Sequence, residues 1–300
     1  MIETTSATTL ANKKWSPSLP IAGNGVEQLI GLSFLEYRAH PAIAQSDLKL
    51  AYSDPQLFSE LSCGQWSKPQ PTKSMLFGID MERFLRNGPG DVVIVPREVL
   101  SKSGQRRGKK WDEFKSAHEF RTLLKEEEYD ESVKPFVRAY ENTVRHTSAS
   151  YLLHSRVEER CWSRQYSWQE AGLHMKGELD LILPQQRIIV DIKTTIDERP
   201  AEFAKSIVNW RYDVQAVQYL TAMEQLTGDE WTYYWLCIRN KMPYSVSVIE
   251  CDDEWRRLGK DYRDLYIENI TRRTEENDWL ADDQPQVCEI PRWERGPYGQ

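Results

Sequence analysis

The sequence predicts an α+β domain in which helices flank a mixed central β-sheet. Two observations predict it. Apolar residues recur with period 2, the strand spacing, in short runs between residues 157 and 195 and again between 231 and 251. The segments around these runs carry helix caps and dense charge, and interleaved strands and helices fold as stacked layers.

The elements follow in order. Residues 1–36 are rich in Ser, Thr, Pro and Gly with few apolar positions, and read as a flexible tail ahead of one domain over 37–300. Ser46 is expected to cap a short helix through Tyr52, and Asp54-Pro55 to open another, since proline suits the first helical position. Ser74 is expected to start a longer helix that Gly88 stops. Asp91–Pro96 reads as a short strand. Residues 111–147 read as helical, with Pro135 as an interruption. Glu158–Ser167, Gly177–Leu183 and Arg187–Thr195 read as strands, the last two joined through Pro184-Gln185-Gln186. A helical region runs from Pro200 to Gly228 with a break near Asn209. Strands over Trp231–Arg239 and Tyr244–Cys251, a charged helix over Asp252–Asn277 and an extended tail from Gln284 complete the chain.

Composition narrows the function. With 40% hydrophobic and 28% charged residues, the 300-residue chain has material for a core, which excludes wholesale disorder. A count of 39 Lys+Arg against 46 Asp+Glu gives a net charge of −7, which argues against unspecific coating of DNA or an anionic membrane. No stretch approaches the ~20 apolar residues of a membrane span, and no secretory leader is visible. Five scattered cysteines without a C-x-x-C pair argue against zinc, iron–sulfur or disulfide scaffolds, so a reducing cytoplasm is expected. No G-x-S-x-G, phosphate-loop or H-E-x-x-H pattern is present.

The informative residues lie in Gly177-Glu178-Leu179-Asp180 and Asp191-Ile192-Lys193-Thr194-Thr195. Side chains alternate along a strand, so Ile188, Val190 and Ile192 share one face, and Asp191 and Lys193 the other. On the preceding strand Leu179, Leu181 and Leu183 are expected on one face, with Glu178 and Asp180 opposite. If Gln185-Gln186 is a two-residue turn, Pro184 pairs with Arg187, Asp180 faces Asp191, and Glu178 faces Lys193. Facing carboxylates repel, and a cation between them relieves the repulsion. Oxygen ligands of this kind suit Mg²⁺ or Mn²⁺. Helical spacing puts Gln215 with Tyr219 on one face, and Gly78 with Glu82 on another, so Glu82 is a candidate third ligand. Glu158 is a possible additional acid. Lys102–Lys110 holds five positive charges in nine residues. Arg106, Arg107, Lys109 and Lys110 are therefore candidate phosphate contacts, although a solvated loop has the same composition.

The acid, acid-x-lysine pattern resembles the PD-(D/E)xK nucleases, and Gln215-x₃-Tyr219 resembles their RecB-like branch. A closer resemblance is to the nuclease domain of RecE-type exonucleases (exodeoxyribonuclease VIII). It rests on YRAHPAIAQSDL (37–48), the Leu76-Phe77-Gly78 helix, the basic loop, VDIKTT (190–195), NWRYDVQAVQY (209–219) and IPRWERGPY (290–298). Such enzymes commonly carry histidine where this chain has Glu82, which bears on the metal geometry. The resemblance implies a Mg²⁺-dependent exonuclease, with Mn²⁺ able to substitute, acting on linear double-stranded DNA from 5′ to 3′. It leaves a 3′ overhang for recombination. It also implies a ring-shaped homo-oligomer working with a RecT-type single-strand annealing protein, and no membrane. In that reading Asp180, Asp191, Glu82 and the Ile192 backbone carbonyl hold metal, Lys193 positions water, Gln215 and Tyr219 support it, and Arg211 joins the basic loop on DNA. The alternatives are a noncatalytic DNA-binding or scaffold module, and a RecB-like endonuclease in repair or phage defence.

Overall fold

The computed structural model describes residues 26–29, 32–64, 72–88, 92–118, 122–127, 133–154 and 160–280. In chain order the strands are β1 (Val26–Leu29), β2 (Val92–Ile94), β3 (Thr122–Leu124), β4 (Cys161–Glu170), β5 (Leu173–Leu183), β6 (Ile188–Thr195), β7 (Thr232–Arg239) and β8 (Val246–Glu250). The helices are α1 (Phe34–Ala39), α2 (Gln45–Ser53), α3 (Pro55–Ser62), α4 (Lys73–Asn87), α5 (Lys109–Ala117), α6 (Lys134–Arg145), α7 (Thr147–His154), α8 (Pro200–Trp210), α9 (Tyr212–Thr227) and α10 (Asp253–Glu276).

Six strands form the main sheet in the order β1-β4-β5-β6-β7-β8. Only β6 and β7 run parallel, and two helices, α8 and α9, make the long crossover that parallel pairing needs. Each sheet face carries its own core. On one, Leu48, Phe58, Phe203, Val214 and Ile270 from the helices meet Trp168, Ile182, Ile189 and Trp235. On the other, Met81, Leu85, Ala139 and Leu152 meet Leu181, Leu183, Val190 and Leu236. Helices thus flank a mixed sheet, as predicted. No helix among the described residues is long and apolar enough to cross a membrane.

Several elements differ from expectation, each for a local reason. The tail does not extend to residue 36, because Val26–Leu29 pairs with β4 as an edge strand. Asp47, not Ser46, organises the start of α2, its carboxylate accepting from the Ala44 N–H at 3.0 Å. Thr72 rather than Ser74 caps α4, accepting from the Met75 N–H at 3.2 Å. Residues 111–147 are not one helix: β3 intervenes and pairs with β2 in a separate two-stranded sheet. Pro135 opens α6 instead of interrupting it, since the first turn needs no N–H donor there. The helix break after Pro200 falls at Arg211, which adopts φ 56°. Ala171 and Gly172, both at positive φ, close a β4–β5 hairpin three residues beyond the expected end of β4.

The β5–β6 register is the expected one, with Leu181 opposite Val190 and Leu183 opposite Ile188. The turn differs: Pro184–Gln186 forms a single 3₁₀ turn and Arg187 adopts the left-handed conformation, so four residues span the gap instead of two. Strand alternation also fails at one place. Leu179 packs in the first core while Leu181 and Leu183 pack in the second. On β4 the switch coincides with Ser163 at φ 47°, across from Asp180 at the one position where the ladder between residues 161 and 182 lacks a pair.

Candidate active site

A cleft of about 810 Å³ opens where that switch occurs, a volume ordinary for small-molecule sites. Its walls are α4, the centres of β4, β5 and β6, and the start of α9. Helix α4 packs against β6 at Gly78, where a Cβ would make an ordinary contact 3.4 Å from Thr194 Oγ1. One turn on, Glu82 faces the cleft, and another turn on, Arg86 does too.

The β5–β6 ladder runs only from Leu183 to Leu181 and then opens, at the point where Asp180 and Asp191 would otherwise be forced together. The opening is used. Asp180 Oδ2 accepts from the Ile192 N–H at 2.7 Å. In an extended strand a residue's N–H and C=O leave on the same edge, so the Ile192 carbonyl faces the same gap. Asp191 is 1% exposed, and its Oδ1 has no hydrogen-bond partner among the described residues. Lys193 Nζ lies 2.5 Å from Asp191 Oδ2 and forms an ion pair with it.

The electrostatics follow from this crowding. Burial, then the Asp191 and Glu82 carboxylates, push the Asp180 carboxyl well above the usual range, and Lys193 only partly offsets them. For Lys193, burial favours the neutral amine, but Asp191, Tyr212 and Asp180 together hold its pKa above the ordinary lysine value. The paired aspartates thus favour the charged amine. Together the buried Asp191 carboxylate, with Oδ1 unpartnered among the described residues, and the neighbouring Asp180 carboxylate fit a divalent cation. No three His, Cys, Asp or Glu side chains among the described residues are grouped closely enough to cage a metal. Two carboxylates, a backbone carbonyl and water make a set that Mg²⁺ accepts.

Helix α9 contributes the other wall. Gln215 Nε2 donates to Tyr219 Oη at 3.1 Å, so these two residues share a face as their spacing predicts. Burial raises the Tyr219 phenol pKa. The Tyr219 ring presses on β5, where a Cβ on Gly177 would come within 2.6 Å of Cε1. Tyr212 escaped the sequence reading, yet its ring centroid lies 4.7 Å from Lys193 Nζ. Arg86 and Ser163 were also missed. The i, i+4, i+8 series Gly78-Glu82-Arg86 could have signalled Arg86, whereas no sequence pattern announces Ser163.

Other candidates lie elsewhere. Arg211 does not reach the cleft: it pairs with the buried Asp213 at 3.3 Å and stacks on Tyr262, so its charge is already used inside the protein. Arg106, Arg107, Lys109 and Lys110 are exposed but do not line the cleft. Arg106 donates to the Leu123 carbonyl at 3.0 Å, tying the basic loop to β3. Glu158 lies outside the described residues.

The family described as PDDEXK-like domain of unknown function (DUF3799) matches residues 46–289. The chain belongs to this PDDEXK-like family. The match includes Glu82, Asp180, Asp191, Lys193, Gln215 and Tyr219 within its span. No curated protein matches the sequence. Among solved structures, a provisionally named exonuclease from Eubacterium rectale superposes with a TM-score of 0.53 at 15% identity, over 87% of this chain and 97% of the other. That likeness shows a shared fold. A phage related exonuclease from Haemophilus somnus 129PT is 13% identical over 79% of this chain and 96% of its own, with a TM-score of 0.32.

Proposed function

We propose that this PDDEXK-like protein is a divalent-metal-dependent exodeoxyribonuclease acting on linear double-stranded DNA. The observation that carries the reading is the buried Asp191, its Oδ1 without a partner among the described residues and its Oδ2 paired with Lys193, set beside Asp180. Asp180, Asp191 and the Ile192 carbonyl would hold Mg²⁺, or Mn²⁺ in its place. A bound divalent ion supplies Lewis acidity at a phosphoryl oxygen and lowers the pKa of water.

The chain's own groups do the rest. Lys193, whose charged form Asp191 favours, orients the attacking water and offsets the charge that develops on the phosphate. Tyr212 covers one side of the amine and limits its rotation. Gln215 holds the Tyr219 hydroxyl beneath the site. The cleft arginines Arg83, Arg86 and Arg164 supply positive charge for the DNA backbone.

The resemblance to RecE-type exonucleases supports the finer part of the proposal. This comprises 5′ to 3′ digestion, a 3′ overhang for recombination, a homo-oligomeric ring in the cytoplasm and cooperation with a RecT-type annealing protein. The decisive test is digestion of end-labelled linear duplex with Mg²⁺ or EDTA, beside a closed circular control. Loss of linear DNA alone, only with Mg²⁺, is the expected result, and the label reports polarity. Lys193→Ala should lower the rate ~10²-fold or more while the protein stays folded. Cleavage of the closed circle would replace the exonuclease with an endonuclease. Binding without cleavage would replace the enzyme with a noncatalytic module.

A further inference from the structure

Ser163 is the unusual residue beside the acid pair. It adopts φ 47°, a conformation that costs a non-glycine residue ~1–3 kcal/mol and persists only where the surroundings enforce it. It lies across the β4–β5 ladder from Asp180, at the position where the pairing skips and the strands exchange faces. Its hydroxyl is engaged on both sides. Ser163 Oγ donates to Glu82 Oε1 at 2.6 Å, and Arg86 Nη1 donates to Ser163 Oγ at 3.1 Å. All three residues line the cleft. Ser163 thus joins two positions one turn apart on α4 to the strand position facing Asp180.

The relay leaves Glu82 partly committed. One carboxylate oxygen is held by Ser163, and the negative charge of Glu82 is felt at both Asp180 and Glu178. Glu82 does not complete a three-residue metal cage with the aspartates. Mg²⁺ keeps several waters when carboxylates bind it, and a nearby carboxylate takes hydrogen bonds from those waters. The arrangement suits an acid that acts one water away from the cation.

We propose that Ser163 is a positioning residue: held by Arg86, its hydroxyl aims the Glu82 carboxylate at the water shell of the cation bound at Asp180 and Asp191. This rests on the metal-dependent reading above. It differs from the expectation that Glu82 is itself a ligand. It also accounts for the strained backbone at Ser163, since the left-handed turn is what brings a β4 hydroxyl to α4.

The test measures cation binding directly, by calorimetric titration of the full chain with Mn²⁺ and Mg²⁺. The variants are Ser163→Gly, Ser163→Ala, Glu82→Gln and the Ser163→Gly/Glu82→Gln double. Ser163→Gly discriminates best, because glycine accepts the positive φ without strain and lacks the hydroxyl. The expected result is a thermal midpoint equal to or above wild type, with cation affinity weakened about 10-fold. Ser163→Ala should weaken binding similarly, and the double variant should be no weaker than Glu82→Gln alone. DNA cleavage by Ser163→Gly should recover as cation is raised. Wild-type cation affinity in Ser163→Gly overturns the relay while leaving the metal site standing. Additive losses in the double variant overturn it too, because the two residues would then act separately. Absence of cation binding by the wild-type protein overturns the metal-dependent reading itself.

Discussion

Asp180 is a liability to the fold without a cation. Burial and two neighbouring carboxylates work against the charged form of Asp180. Asp180→Asn removes the charge and keeps an oxygen for the Ile192 N–H. It should raise the thermal midpoint in EDTA, by ~1 kcal/mol of stability, and abolish most of the stabilisation that Mg²⁺ gives the wild type. Differential scanning calorimetry with and without Mg²⁺ checks both halves, and a lowered midpoint in EDTA would mean that the Asp180 charge stabilises the fold. The acid pair and Lys193 were legible because they form a short local pattern of residue types; alternation misplaced Asp180, since β5 changes face there. Tyr212 was not, because its approach to Lys193 depends on the left-handed Arg211 that turns α8 into α9. The same turn buries the Arg211 charge against Asp213, which no count of basic residues foretells.

Close approach between elements explains which glycines matter. Gly259 on α10 has backbone of α9 against it: a Cβ would sit 2.4 Å from the Asp213 carbonyl oxygen. Backbone cannot step aside cheaply, so Gly259→Ala should cost ~2–3 kcal/mol by denaturant titration. Gly177→Ala would meet the Tyr219 ring at 2.6 Å, which can shift. It should cost ~1–2 kcal/mol and also slow cleavage, because the ring it displaces belongs to the cleft. Gly78→Ala, with its nearest contact at 3.4 Å, should change stability by less than about 1 kcal/mol. An order of loss other than Gly259, Gly177, Gly78 would contradict this packing. The strong elements, such as α10 capped by Asp252, were readable from caps and periodicity. The weak ones were not: β3 has three residues, and only its pairing with β2 makes it a strand.

The molecule as a whole is a sheet closed on both faces, and its thiols report on that closure. Cys237 and Cys251 are fully buried, and burial pushes their thiols up, that of Cys251 to about 12. At pH 8 they should resist iodoacetamide in the native protein and react only as the sheet opens. Cys63 and Cys161, both half-buried, should react earlier. Mass spectrometry of labelling against denaturant gives the order, and early modification of Cys237 would contradict a closed sheet.

The sequence by itself determined the mixed α+β architecture and the acid, acid-x-lysine set, because strand and helix periodicity and caps act over a few residues. Only the tertiary structure decided which charges face the cleft. It opened the ladder between the two aspartates and turned Ser163 toward Glu82. It also sent Arg211 inward and left the basic loop outside the cleft. Those outcomes depend on contacts between residues far apart in the chain, such as Ser163 with Glu82 and Arg211 with Tyr262, and no local pattern encodes them.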